Sequence, residues 1–174
     1  MRLQKLNIFA LLLILAVSFT NCDSPKKKKS MTESPSMGQG MNDDDDYAKR
    51  EIVVNGDSDS GKAGALRTVY FDFNSANLDS NTRDVLMANA DFLKSNPGIE
   101  IQVEGHADER GGIQFNLALG ERRAAAVKNY LVSMGVSSSR ITTISFGKER
   151  PIAFGHSEGS WSRNRRANFV VTAK

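Results

Sequence analysis

The sequence predicts an α+β fold, a two-layer α/β sandwich with helices packed on one small mixed sheet. Three observations predict it. Val69, Phe71 and Phe73, and later Ile99, Ile101 and Val103, alternate with polar neighbours, the period of a half-buried strand. Two longer stretches repeat apolar residues at three- and four-residue spacing, the stripe of a helix that buries one side. Strands and helices take turns along the chain, so the helices have a sheet to cover.

The elements follow in order. Asp79, Ser80, Asn81 and Thr82 supply capping side chains after the first strand, and a helix runs from there to about Ser95. Its inward stripe is Val85, Leu86, Ala90 and Leu93, and Asn96, Pro97 and Gly98 stop it. The second strand leads into a glycine-rich loop over residues 105–112. The next helix runs from about Phe115 to Met134, with Leu117, Gly120, Ala124, Val127 and Leu131 at helical spacing and Gly135 at its end. Ile144 and Phe146 mark a third strand. A short helix is expected over residues 158–164, and Ala167 to Thr172 forms the last strand.

These elements occupy residues 65–174, a usual size for a single core. What precedes them reads differently. Arg2 and Lys5 stand before an apolar run from Ile8 to Val17, with polar residues after it, which describes an export signal over residues 1–21. The run is short of the roughly 20 residues that a membrane-spanning helix needs. Residues 22–64 are rich in Ser, Gly, Asp, Lys and Met without apolar periodicity, and are expected to form a disordered tether. Such a segment spans on the order of 130 Å when stretched and roughly 35 Å as a relaxed coil.

Composition excludes several functions. The chain has one cysteine, Cys22, so it forms no internal disulfide and no multi-thiolate metal site. The formal charge is +3, but the leader holds two of the 23 basic residues and none of the 20 acidic ones, so the basic balance is weak evidence for nucleic acid. Arg163, Arg165 and Arg166 have no aromatic platform among them and read as a structural anchor for the short helix with solvated partners. His106 lies near Glu104 and Asp108, but His156 is the only other histidine, so His106 is read as shaping its loop and no metal is expected. No nucleophile–base arrangement is suggested, and neither catalysis nor a cofactor is expected.

Asp108 and Arg123 carry the functional reading. They lie fifteen positions apart, with a glycine turn and a helix start between them. Asn116, Leu119 or Gly120, and Arg123 share one helical face, because i, i+3/i+4 and i+7 lie in line. Arg123 is expected at the exposed rim, where a guanidinium can hold a carboxylate through two parallel hydrogen bonds. Asp108 can reach the same rim and take an ammonium group. Spacing alone leaves alternatives of equal weight: Asp108 pairing with Arg123, or Arg123 with Glu121 or Glu104.

Five segments add a resemblance. Val69 to Ala76, Val103 to Gly111, Asn116 to Ala124, Gly147 to Pro151 and Ser162 to Ala167 are similar, in the same order, to segments of the OmpA-like peptidoglycan-binding domain family, and most closely to its peptidoglycan-associated lipoprotein (Pal) branch. The resemblance covers residues 66–172. Cys22 behind the apolar run likewise resembles a lipoprotein processing site, with Asn21 bulky for the position before the cut.

The resemblance implies an outer-membrane lipoprotein, acylated at Cys22 and facing the periplasm. It also implies non-covalent binding of the meso-diaminopimelate stem peptide of peptidoglycan, with TolB of a Tol–Pal system as a partner. By the same resemblance Asp108 and Arg123 are the family's acid and arginine, and Phe73, Asn74, His106, Ala107, Asn116 and Leu117 are neighbouring contacts. Asn74 stands where Pal relatives usually carry an aspartate. Two rivals remain: an OmpA-like lipoprotein outside the Tol system, and a cell-wall hydrolase.

Overall fold

Alternation sorts each strand onto two faces. Ile101 and Val103, and across from them Ala167, Phe169 and Val171, point one way and are buried. Glu104, Arg166 and Asn168 are out of step with them and point the other way. The computed structural model describes residues 50–174. The expected leader, Cys22 and most of the tether lie outside the described residues.

The elements are β1 (Val69–Tyr70), α1 (Ser80–Ser95), β2 (Glu100–His106), α2 (Ile113–Ser133), a 3-10 turn (Ser138–Arg140), β3 (Ile141–Gly147), α3 (Glu158–Asn164) and β4 (Arg166–Ala173). The sheet order is β1-β4-β2-β3. β4 runs antiparallel to β1 and β2, while β2 and β3 are parallel, so the sheet is mixed as expected. The core joins Leu86, Ala90 and Leu93 of α1 and Ala124, Val127 and Leu131 of α2 to Val69, Ile101, Val103, Ile141, Phe169 and Val171 of the sheet. Each Leu, Ile, Val or Phe side chain among these contributes about 1.5–3 kcal/mol when fully buried.

Polar side chains fix how the layers meet. The Asp79 carboxylate accepts from Thr82 N at 2.7 Å, so α1 starts where capping chemistry predicts. Buried Asn89 bonds both backbone groups of Arg67, tying α1 to the chain before β1. Arg140 donates to Leu93 O, Asn96 O and Ile99 O, tying the end of α1 and the turn after it to the start of β3.

Two boundaries differ from expectation. β1 ends at Tyr70 although the alternation runs to Phe73. Phe71 N still donates to Arg165 O at 2.9 Å, but the chain then turns, with Asn74 at φ 51. The tether, expected to continue to residue 64, gives way earlier. Asn55 N donates to Val171 O, Ser58 N donates to Phe169 O, and Asp57 bridges Val170, so this stretch lies alongside β4. Ala63 and Leu66 enter the core. The sequence hides this because the contacts are backbone bonds to a strand edge, which need no apolar period.

Candidate functional site

β2 ends at His106, and the chain continues through Ala107 and Asp108 into the loop before α2. Two glycines set how closely strand and helix approach. A Cβ on Gly105 would lie 1.8 Å from Gly120 O, so β2 and α2 touch backbone to backbone. This contact carries the end of β2 and the first turns of α2 to one place, together with the turn after β1 and the end of α3. A cavity of about 130 Å³ lies there, lined by Phe73, Asn74, Asp108, Arg110, Asn116, Leu119, Arg123 and Arg165 among others.

Arg123 is not on an exposed rim: its exposure is 0%. Its guanidinium donates to Ser75 O at 2.8 Å, His106 O at 2.6 Å and Asp72 O at 3.0 Å. It thereby fastens α2 to the turn after β1 and to the end of β2. Burial pushes its pKa down to about 10, with Arg165 adding to the fall and Asp108 opposing it, so it stays charged at neutral pH.

Asp108 is also buried, at 4% exposure. Its carboxylate accepts from Arg110 N at 3.1 Å, Arg110 Nε at 3.2 Å and Arg110 Nη2 at 2.6 Å, and from Arg165 Nη1 at 3.4 Å. Burial raises its pKa, but these hydrogen bonds and the Arg110 charge outweigh it, and the carboxyl is held below the usual range. The open question of pairing resolves in an unexpected way. Asp108 and Arg123 face one cavity, yet each has other partners, and no hydrogen bond joins Arg123 to Glu104 or Glu121 among the described residues.

The remaining sequence-named residues divide. Phe73 stands at the mouth, 60% exposed. Asn74 lines the cavity with its backbone in the left-handed region, which asparagine and aspartate tolerate better than most residues. Asn116 is buried there and donates to Arg110 O at 2.9 Å, holding the loop over the helix start. Leu117 points elsewhere, into a hollow with Gln114, Ala118 and Glu121, and Leu119 takes its place at the site. Ala107 is buried and donates its N–H to Gly147 O at 2.8 Å.

His106 gives the site only its carbonyl. Its ring is buried, stacks on Phe146 with centroids 5.7 Å apart, and lines a separate hollow with Glu104, Arg150 and Arg166. Burial pushes its pKa below the ordinary value near 6.5, with Glu104 opposing and Arg166 assisting. The folded ring is therefore neutral where an unfolded one is protonated. Stability from this source is complete above the ordinary histidine pKa and falls as pH drops below it towards the lowered folded value. Chemical unfolding midpoints should decline from pH 7 to pH 5.5, and His106→Gln should flatten the decline. An equal slope in the variant would assign the effect to another group.

Arg110, Trp161 and Arg165 escaped the sequence reading. Arg165 is buried and donates to Phe71 O, Asp108 and Glu158, so two of the three C-terminal arginines are structural where one was expected. Arg166 is the other, bonded to Asp59 at 2.7 Å. The Arg110 guanidinium lies 4.0 Å from the ring centroids of both Phe73 and Trp161. The available signal was the cluster of arginines itself, which composition alone cannot assign to one acid.

Comparison with known proteins identifies the family and the fold. The OmpA family pattern matches residues 70–165. The peptidoglycan-associated lipoprotein of Pseudomonas aeruginosa is 38% identical over 167 residues, covering 95% of this chain and 97% of that protein. That of Rhizobium meliloti is 37% identical over 160 residues, covering 91% of this chain and 84% of its own length. The crystal structure of the peptidoglycan-associated lipoprotein from Burkholderia pseudomallei superposes with a TM-score of 0.59 at 45% identity, covering 62% of this chain and 91% of that one. The chain belongs to the OmpA family, as a homologue of the peptidoglycan-associated lipoproteins.

Proposed function

We propose that this chain is an outer-membrane lipoprotein whose domain grips the meso-diaminopimelate stem peptide of peptidoglycan and so tethers the membrane to the cell wall. One observation carries the reading: a buried carboxylate, Asp108, and a buried guanidinium, Arg123, face the same small cavity. The free end of diaminopimelate bears an ammonium and a carboxylate on one carbon. Asp108 is the acceptor for the ammonium, and Arg123 supplies a fixed positive charge in the wall on the carboxylate side. Arg123 is oriented by existing hydrogen bonds to three carbonyls, which lowers the cost of ordering it when ligand arrives. The chain is a binding module and not a hydrolase.

Acylation at Cys22 is the other half of the tether. One acyl chain binds a bilayer only marginally, so durable anchoring requires more than one. The similarity to peptidoglycan-associated lipoproteins supports a place in a Tol–Pal system, in which TolB would dock near the same face and the chain would act in envelope constriction.

The test is co-sedimentation with purified sacculi joined to membrane fractionation. Asp108→Asn removes the charge and keeps the shape. It should reduce sacculus binding at least tenfold, since a hydrogen bond to a charged group contributes about 1.5–3 kcal/mol, while circular dichroism stays native. Cys22→Ser should move the chain from the membrane to the soluble fraction. Wild-type sedimentation by Asp108→Asn would sink the site, and soluble muropeptides released from sacculi would point to the hydrolase.

A further inference from the structure

In this structure the acid meant for a ligand's ammonium is already occupied by the chain itself. Arg110 reaches back two residues and holds Asp108 with its backbone N–H and with Nε and Nη2, the last at 2.6 Å. The contact is bidentate, the geometry in which a guanidinium matches a carboxylate best. The guanidinium is flanked by Phe73 and Trp161, and Nη2 lies 3.8 Å from the exposed carboxylate of Glu158. No hydrogen-bond partner of Nη1 occurs among the described residues, and the side chain is 30% exposed. Arg110 is thus a cation at the mouth of the cavity with one edge turned away from Asp108.

Arg123 is placed differently. Three of the five donors of a guanidinium are spent on backbone carbonyls, and the side chain is fully buried. A carboxylate arriving from solvent meets Arg110 first.

Charge balance then discriminates between ligands. An amine that displaces Arg110 from Asp108 leaves the guanidinium without its buried counter-ion. A zwitterion exchanges partners instead: its ammonium replaces Arg110 on Asp108, and its carboxylate takes up the released guanidinium. Asp108 and Arg110 are both paired before and after. The flanking rings allow the guanidinium to shift sideways without leaving their faces. Asn116 on Arg110 O and Lys148 on Gly111 O hold the loop backbone in place, so it is the Arg110 side chain that moves.

We propose that Arg110 is the specificity-determining arm of the site: its ion pair with Asp108 opens for a ligand that carries both an amine and a carboxylate, and resists one that carries an amine alone. The inference rests on the reading of Asp108 as the ammonium acceptor, and it adds a residue and a rule of selection to that reading.

The test uses the full-length chain in detergent and two synthetic peptides, L-Ala-γ-D-Glu-meso-diaminopimelate and the same tripeptide with L-lysine in third place. They differ by one carboxylate. Titration calorimetry should give the wild type a marked preference for the diaminopimelate peptide. In Arg110→Gln that preference should fall at least tenfold, because the lysine peptide no longer competes with a guanidinium and the other peptide loses its partner. An unchanged preference, or an equal loss for both peptides, would overturn the proposal and leave Arg110 a support for Asp108. Asp108→Asn separates the two readings. If it binds neither peptide while Arg110→Gln keeps the wild-type preference, only the role of Arg110 fails. If it binds both like the wild type, the site itself fails and the proposal with it.

Discussion

Arg123→Ala is expected to cost the domain on the order of 3–5 kcal/mol of folding stability, in addition to any loss of ligand. Its guanidinium bonds three carbonyls from two separate segments, at Asp72, Ser75 and His106. Truncation strands these acceptors in a site where water has poor access and leaves a cavity where a large side chain stood. It also removes the buried positive charge that faces Asp108. The urea midpoint should fall well below that of the wild type, and the turn over residues 72–75 should exchange its amide hydrogens faster. Arg123→Lys should recover little, because an ammonium on a flexible stem cannot present the planar fork that reaches three carbonyls. A wild-type midpoint in Arg123→Ala, with sacculus binding lost, would mean that Arg123 is a ligand contact and not a fastener.

That expectation differs from what the sequence suggests, and the difference shows what each level reveals. The α+β order and the sheet were legible because they depend on period. Ile101 and Val103 alternate, and Leu86, Ala90 and Leu93 line one side of a helix, so each commits its element to a face. The site was legible as a neighbourhood: Asp108 and Arg123 do share a cavity. Its wiring was not legible. Arg123 lies on the same face as Asn116, and helical geometry correctly aims it towards the loop, yet whether it stops at the surface or passes beneath depends on the height of the 72–75 turn. That height is set by Asn74 in the left-handed region and by Arg165 holding Phe71 O, more than 90 positions along the chain. The partner of Asp108 was equally hidden. Arg110 lies two residues away, a spacing that brings side chains together only where the loop turns back on itself.

Gly105→Ala is the second large effect, expected to destabilise the domain by about 3 kcal/mol or more, at the upper end for overpacking. The added methyl group would lie 1.8 Å from Gly120 O and 2.6 Å from Gly120 C, and both neighbours are backbone. No side chain can swing aside, so α2 must move off β2 by more than an ångström. Gly120→Ala meets the same wall from the other side, with Gly105 O at 2.7 Å and Ser145 Oγ at 2.3 Å from the new carbon. The displacement falls on the part of α2 that carries Asn116, Leu119 and Arg123. It pulls Arg123 Nη1 away from His106 O, so stability and binding should fail together. Thermal melts should drop by about 10 °C or more, and sacculus binding should be lost even at 4 °C, where the residual fold persists. Asp108→Asn is the necessary contrast, since it leaves the backbone contact between β2 and α2 in place: it costs stability through its lost pairing with Arg110 and Arg165, but the melt should fall less than in Gly105→Ala while binding is lost. If Gly105→Ala melted like the wild type, the backbone contact between β2 and α2 would not be what holds the two charges at one cavity.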